Sequence, residues 1–187
     1  MTSNTLKTLI GFLGTMITKY SPFDLSKKTL EGIYNYHIIN PTIATSGQPT
    51  EKQFNLIKEA GYDAIINLAP HGAENSLHNE ASLLSNLGLN YIHIPVDFKN
   101  PTDKNFTDFV SSMRNASTEK VWVHCAANMR VSAFIYRYRC EVLKEDIDVL
   151  KSFIILWYLR SFVKLSIIGS EINNNIFCEN YFCQCWN

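Results

Sequence analysis

The chain has no surplus of charge: 17 Lys and Arg stand against 17 Asp and Glu in 187 residues, with a pI near 6.9. That balance argues against nucleic acid as a partner, since affinity for a phosphate backbone is built from clustered cations. It leaves room for one small anionic group, held by a single Arg and a few amides. Proline (6) and glycine (8) are sparse, and 46% hydrophobic against 18% charged residues excludes a disordered or fibrous chain. A single domain with a sizeable core fits that length and composition. An uncharged apolar run of membrane-spanning length is also missing: Arg160 and Lys164 break the stretch from Ser152 to Ile168. Leu6 to Ile17 is diluted by Thr8, Gly11, Gly14 and Thr15, and no small-x-small cleavage site follows it. The expectation is a cytoplasmic protein without a transmembrane segment. The five cysteines, Cys125, Cys140, Cys178, Cys183 and Cys185, form no readable disulfide framework. Cys178-x4-Cys183-x-Cys185 has no nearby His and matches no zinc spacing, and His71 and His78 read as a solvated pair, so no metal or cofactor is expected.

Strand and helix signals alternate. Ile43 to Ser46 reads as a strand closed by Gly47-Gln48-Pro49, with Thr50 capping a helix from Glu51 to Ala60. Ala64 to Leu68 is a buried-strand pattern, followed by a loop, a helix from about His78 to Leu87, and a strand from Tyr91 to Val96. Thr102 caps a helix from Asp103 to about Arg114, in which Phe106, Phe109, Val110 and Met113 recur at helical spacing. Lys120 to His124 is a strand that runs through Cys125-Ala126-Ala127-Asn128-Met129-Arg130 into a helix from Val131 to Leu143. The pattern predicts an α/β fold, a mainly parallel central sheet flanked by helices. Residues 31–150 form the expected domain, preceded by a leader helix region (1–30) and followed by a divergent tail (151–187).

Cys125 is the candidate nucleophile. At a strand-to-helix junction, loop amides and the start of a helix converge, a field that favours anions and lowers the pKa of a thiol. Arg130, five positions on, has the fork of donors that grips two oxygens of a phosphate or sulfate. Read as a pair alone, a small buried hydrophobe at Cys125 and a surface cation at Arg130 is the more usual outcome.

The run from Val121 to Ala133 resembles the phosphate-binding loop of cysteine-based protein tyrosine phosphatases, and in particular that of small bacterial dual-specificity-like phosphatases. Thr45-Ser46-Gly47-Gln48-Pro49-Thr50, Ile65-Ile66-Asn67-Leu68 and Tyr91-Ile92-His93-Ile94-Pro95-Val96-Asp97 occur in the order that family shows, so the resemblance covers about residues 33 to 148. It implies a phosphatase fold and hydrolysis of a phosphomonoester, on a protein or a small molecule, through a cysteinyl-phosphate on Cys125. Arg130 and the amides of Ala126, Ala127, Asn128, Met129 and Arg130 would hold the phosphate oxygens. Asp97 would be the general acid, with Asp103 as the competitor and a first-turn helix acid as that residue's other reading. His124 would order the loop or serve as a core histidine; Ser132 would donate to the thiolate or cap the helix. Gln48 either lines the site or belongs to a turn formed for its geometry.

The chain departs from the family pattern in one respect. Four residues instead of five separate Cys125 from Arg130, no Gly lies between them, and Val131 precedes Ser132. Asn128 is the residue best suited to replace the loop Gly where a positive φ is needed. The shorter spacing also resembles the persulfide-carrying loop of rhodaneses, so a sulfurtransferase and a non-catalytic phosphate-binding module stand as alternatives.

Overall fold

The computed structural model describes residues 29–146 apart from 71, 73 and 74. The leader region up to residue 28, the tail from 151, His71 and the three C-terminal cysteines therefore lie outside the described residues.

After a 3-10 turn at Leu30–Gly32, the described chain forms β1 (His37–Asn40), β2 (Ile43–Ser46), α1 (Glu51–Glu59), β3 (Ala64–Asn67) and α2 (Glu80–Asn86). It continues with β4 (Asn90–His93), α3 (Asp103–Asn115), β5 (Val121–His124) and α4 (Met129–Glu141). The sheet order is β1-β2-β5-β3-β4, parallel except for the antiparallel edge pair β1–β2. The mainly parallel sheet expected from the sequence is present.

Two helix starts are where the sequence places them, and for the expected reason. Thr50 and Thr102 each accept from the backbone N–H three residues on, while Gln53 and Asn105 reach back to the cap amide, satisfying donors a helix start leaves orphaned. Sequence patterning missed β1, an edge strand with alternating partial exposure. The Asn40 side chain makes the turn into β2, accepting from Thr42 N at 2.9 Å and Ile43 N at 2.8 Å. The strand expected at Tyr91 to Val96 is shorter, although Ile94 N and Val96 N still donate to Asn67 O and Leu68 O beyond its end.

The side-chain alternation of the central strands divides the core in two. Ala64, Ile66, Leu68, Val121, Val123 and Cys125 pack with Phe106, Phe109 and Met113 of α3 and Val131, Phe134, Ile135 and Tyr138 of α4. Ile65 and Trp122 face the other way, onto Phe54 and Ile57 of α1 and Leu84 of α2. Helices thus cover both faces, and β5 lies between β2 and β3 with its carboxyl end framed by theirs. Open α/β sheets bind ligands at such a place.

Candidate active site

β5 ends at His124 and α4 begins at Met129, two residues earlier than the sequence suggests. Only Cys125 to Asn128 turn the chain, and Arg130 stands in the first helical turn. Asn128 makes this possible: it adopts φ 67° and ψ 5°, the left-handed conformation in which Asn is better tolerated than most residues.

The loop is anchored from three sides through its carbonyls. Ala126 O accepts from Gln48 N at 3.2 Å and from Asn75 Nδ2 at 3.0 Å. Ala127 O accepts from Asn35 Nδ2 at 3.0 Å, and Asn128 Nδ2 donates to Asn35 O at 2.7 Å and to Thr45 Oγ1 at 3.0 Å. Gly47 forms an isolated antiparallel bridge with Ala127. With its carbonyls committed to the protein, the turn leads into a helix whose first amides have no intrahelical acceptor, a ready anion site.

Cys125 is buried, at 1% exposure, under that turn. Arg130 Nε is buried without a hydrogen-bond partner among the described residues, and its guanidinium lies 5.6 Å from the centroid of the Phe98 ring. Phe98 follows Asp97, so the Asp97 loop reaches over the end of α4 that carries Arg130. Asp97 is exposed, and its Oδ1 accepts from Lys99 N at 2.9 Å. Asp103 is committed elsewhere: it starts α3 and pairs with Arg137 Nη1 at 2.9 Å. The Ser132 hydroxyl donates to Asn128 O at 2.6 Å, tying the first turn of α4 to the loop.

His124 projects to the opposite face of the sheet from Cys125. Its ring packs edge-on against Phe54 and meets Glu80, with Nε2 at 3.3 Å from Oε1 but off the line of a hydrogen bond. Glu80 accepts from Gln48 Nε2 at 2.5 Å and from Asn67 Nδ2 at 2.7 Å. Burial works to raise the Glu80 pKa. The His124 charge, the contact with His124 and hydrogen bonds with Gln48 and Tyr91 outweigh it and hold the carboxyl down at about 2. The Gln48 side chain, 3% exposed, belongs to this cluster beneath the loop and does not line the site. His78 is exposed, and no group of three or more metal-ligating side chains occurs among the described residues.

Sequence reasoning missed Asn35, Asn75, Glu80 and Phe98. Their partners lie 13 to 93 positions away, or act through backbone carbonyls, and no local pattern announces such contacts.

The profile of the family described as "DSP-PTPase phosphatase fused to NAD+ Kinase" matches residues 15–152. The chain belongs to that family. By its description that family is of the dual-specificity and tyrosine-phosphatase kind, the kind that the loop resembles. A DUF442 protein of Shewanella putrefaciens CN-32 is 28% identical, with a TM-score of 0.62 over 83% of this chain and 96% of that one. The catalytic core of the PP-IP phosphatase SIW14 of S. cerevisiae shares the fold at 16% identity, with a TM-score of 0.58 over 80% of this chain and 86% of that one. The "Beta-lactamase hydrolase-like protein" of Xylella fastidiosa is 36% identical over 96 residues, 49% of this chain. The chain matches about a fifth of that relative's length (22%). No helix among the described residues is long and apolar enough to cross a membrane.

Proposed function

We propose that residues 31–150 form a phosphatase domain that hydrolyses a phosphomonoester, on a protein or a small molecule, through a cysteinyl-phosphate on Cys125. The observation that carries this reading is the junction itself. Cys125 directly follows the central strand, Asn128 turns the chain in the left-handed conformation, and Arg130 stands in the first turn of α4 with a buried Nε free to bond an oxyanion. The Cys125 sulfur attacks phosphorus as the bond to the leaving oxygen breaks, and Asp97 gives that oxygen its proton. The Asp97 carboxylate then takes a proton from water, whose oxygen attacks phosphorus. The P–S bond breaks, phosphate leaves, and the thiolate is restored. The Arg130 guanidinium and the amides from Ala126 to Arg130 stabilise the charge on the equatorial oxygens throughout.

Family membership favours this over the sulfurtransferase reading, in which thiosulfate would leave a persulfide on Cys125. Release of p-nitrophenol from p-nitrophenyl phosphate, with EDTA present, tests it. Turnover by the wild type that disappears in Cys125→Ser supports the proposal. Folded wild type that forms a cyanide-labile persulfide and releases no p-nitrophenol overturns it.

A further inference from the structure

We propose that Glu80 is a positioning residue for the phosphate loop: its buried carboxylate gathers Gln48, Asn67 and His124 at the carboxyl ends of three adjacent strands. It thereby fixes the frame on which Cys125 to Arg130 is built. The inference deepens the phosphatase reading and rests on it.

The geometry is direct. Gln48 lies just past β2, Asn67 ends β3 and His124 ends β5, and β5 is the strand between the other two. Glu80 comes from α2 on one face and touches all three, at 2.5 Å (Gln48), 2.7 Å (Asn67) and 3.3 Å (His124). Each contact continues into the loop or its neighbours. The Gln48 backbone N–H donates to Ala126 O at 3.2 Å, and His124 O accepts from Leu68 N at 2.8 Å immediately before Cys125. Asn67 Oδ1 accepts from Ala69 N at 2.7 Å, and its amide also reaches the Tyr91 hydroxyl at 3.2 Å. From α1 the cluster meets the Phe54 ring, and from β4 the Tyr91 ring with His93 stacked on it.

A carboxylate is the group that can accept from two amides at once while facing an imidazole. Gln in its place would turn an NH2 toward the NH2 of Gln48 or Asn67, two donors with nothing between them. Packing alone gives no reason for a charge here, because an apolar side chain stabilises a buried position at least as well as an ion. Glu80 is 4% exposed, so geometry is what the carboxylate adds.

The test compares alkylation of Cys125 by iodoacetate and by iodoacetamide in the wild type and Glu80→Gln. Both reagents require the thiolate, so the ratio of their rates cancels its abundance and reports how well the loop holds an anion beside the sulfur. A positioning role predicts a wild-type ratio above that of glutathione. In Glu80→Gln the ratio falls toward the glutathione value and kcat on p-nitrophenyl phosphate drops about tenfold or more. A lower melting temperature with an unchanged ratio makes Glu80 a packing group and overturns the inference, as does a wild-type ratio no higher than glutathione's. Should Glu80→Gln fail to fold, Gln48→Ala removes one arm of the cluster and must lower the ratio too; an unchanged ratio there also overturns the proposal. Wild type that selects iodoacetate but never hydrolyses the ester fails the phosphatase reading, and the Glu80 inference is still decided by the ratio.

Discussion

Asn128 and Asn35 hold each other across the loop from Cys125 to Asn128: Asn128 Nδ2 donates to Asn35 O at 2.7 Å, and Asn35 Nδ2 donates to Ala127 O at 3.0 Å. Both residues have positive φ, 67° and 51°, so each contributes a backbone bend and an amide bridge. These two contributions separate by mutation. Asn128→Gly keeps the bend and loses the bridges, at about 1 kcal/mol for each buried hydrogen bond. Asn128→Ala loses the bridges and also strains the bend, because Ala tolerates positive φ less well than Gly or Asn. Urea denaturation should rank stability as wild type, then Gly, then Ala, and kcat on p-nitrophenyl phosphate should follow that order. Equal activity in the two variants would show that the bend is not what shapes the loop.

Gly47 is required for its lack of a side chain. A Cβ there would stand 2.7 Å from Tyr34 Cδ1 and 3.0 Å from Ala126 O, the first a ring atom and the second loop backbone. Gly47→Ala must therefore move Tyr34 or the loop, at a cost of about 1 to 3 kcal/mol. Gly61→Ala is the control, since its Cβ meets nothing within 4 Å and its φ of +82° makes it strained without touching the site. Thermal melts should fall in both variants, whereas KM for p-nitrophenyl phosphate should rise in Gly47→Ala alone.

The contrast between these positions and the sequence shows what pattern carries. Thr50 and Thr102 were legible because a cap acts on an amide three residues away, and Cys125 and Arg130 because a strand leads into a helix through a fixed spacing. Asn128 was legible from chemistry, as the loop residue that best tolerates positive φ. Glu80 was not. In sequence it opens a short helix of ordinary polarity, and only the crossover that lays α2 under β3 and β5 brings it to His124, 44 positions away. The edge strand β1 was hidden for a different reason: it is four residues long, and its two Ile are neighbours, Ile38 exposed and Ile39 partly buried, so no apolar alternation marks it.

The Glu80 carboxyl also makes stability depend on pH. Folding holds it at about 2 where a free glutamate titrates near 4.5, so the folded state favours the ionised form. A lowered carboxyl pKa gives stability that is complete above the unfolded value and is lost as pH falls toward the folded one. The contribution is on the order of 3 kcal/mol at neutral pH. Unfolding free energy of the wild type should decline between about pH 5 and pH 2 with a component that Glu80→Gln lacks. Parallel curves for the two proteins over that window would show that the carboxylate is not held by its partners.

Asp97 and Asp103 both follow β4, and the structure separates their prospects as the general acid. Asp103 is tied to Arg137 at 2.9 Å and is largely exposed, so Asp103→Asn should cost less than about 1 kcal/mol of stability and leave kcat nearly unchanged. Asp97 is held by a backbone contact from Lys99 in the loop whose Phe98 lies against Arg130, so it stands beside a residue that approaches the proposed phosphate-binding guanidinium. Asp97→Asn should lower kcat about 10²-fold or more, because the leaving oxygen loses its proton donor. The effect should depend on the leaving group: phenyl phosphate, whose phenolate is the stronger base, should suffer more than p-nitrophenyl phosphate. A loss of equal size for both esters would mean that Asp97 orders its loop over Arg130 and that the proton comes from elsewhere.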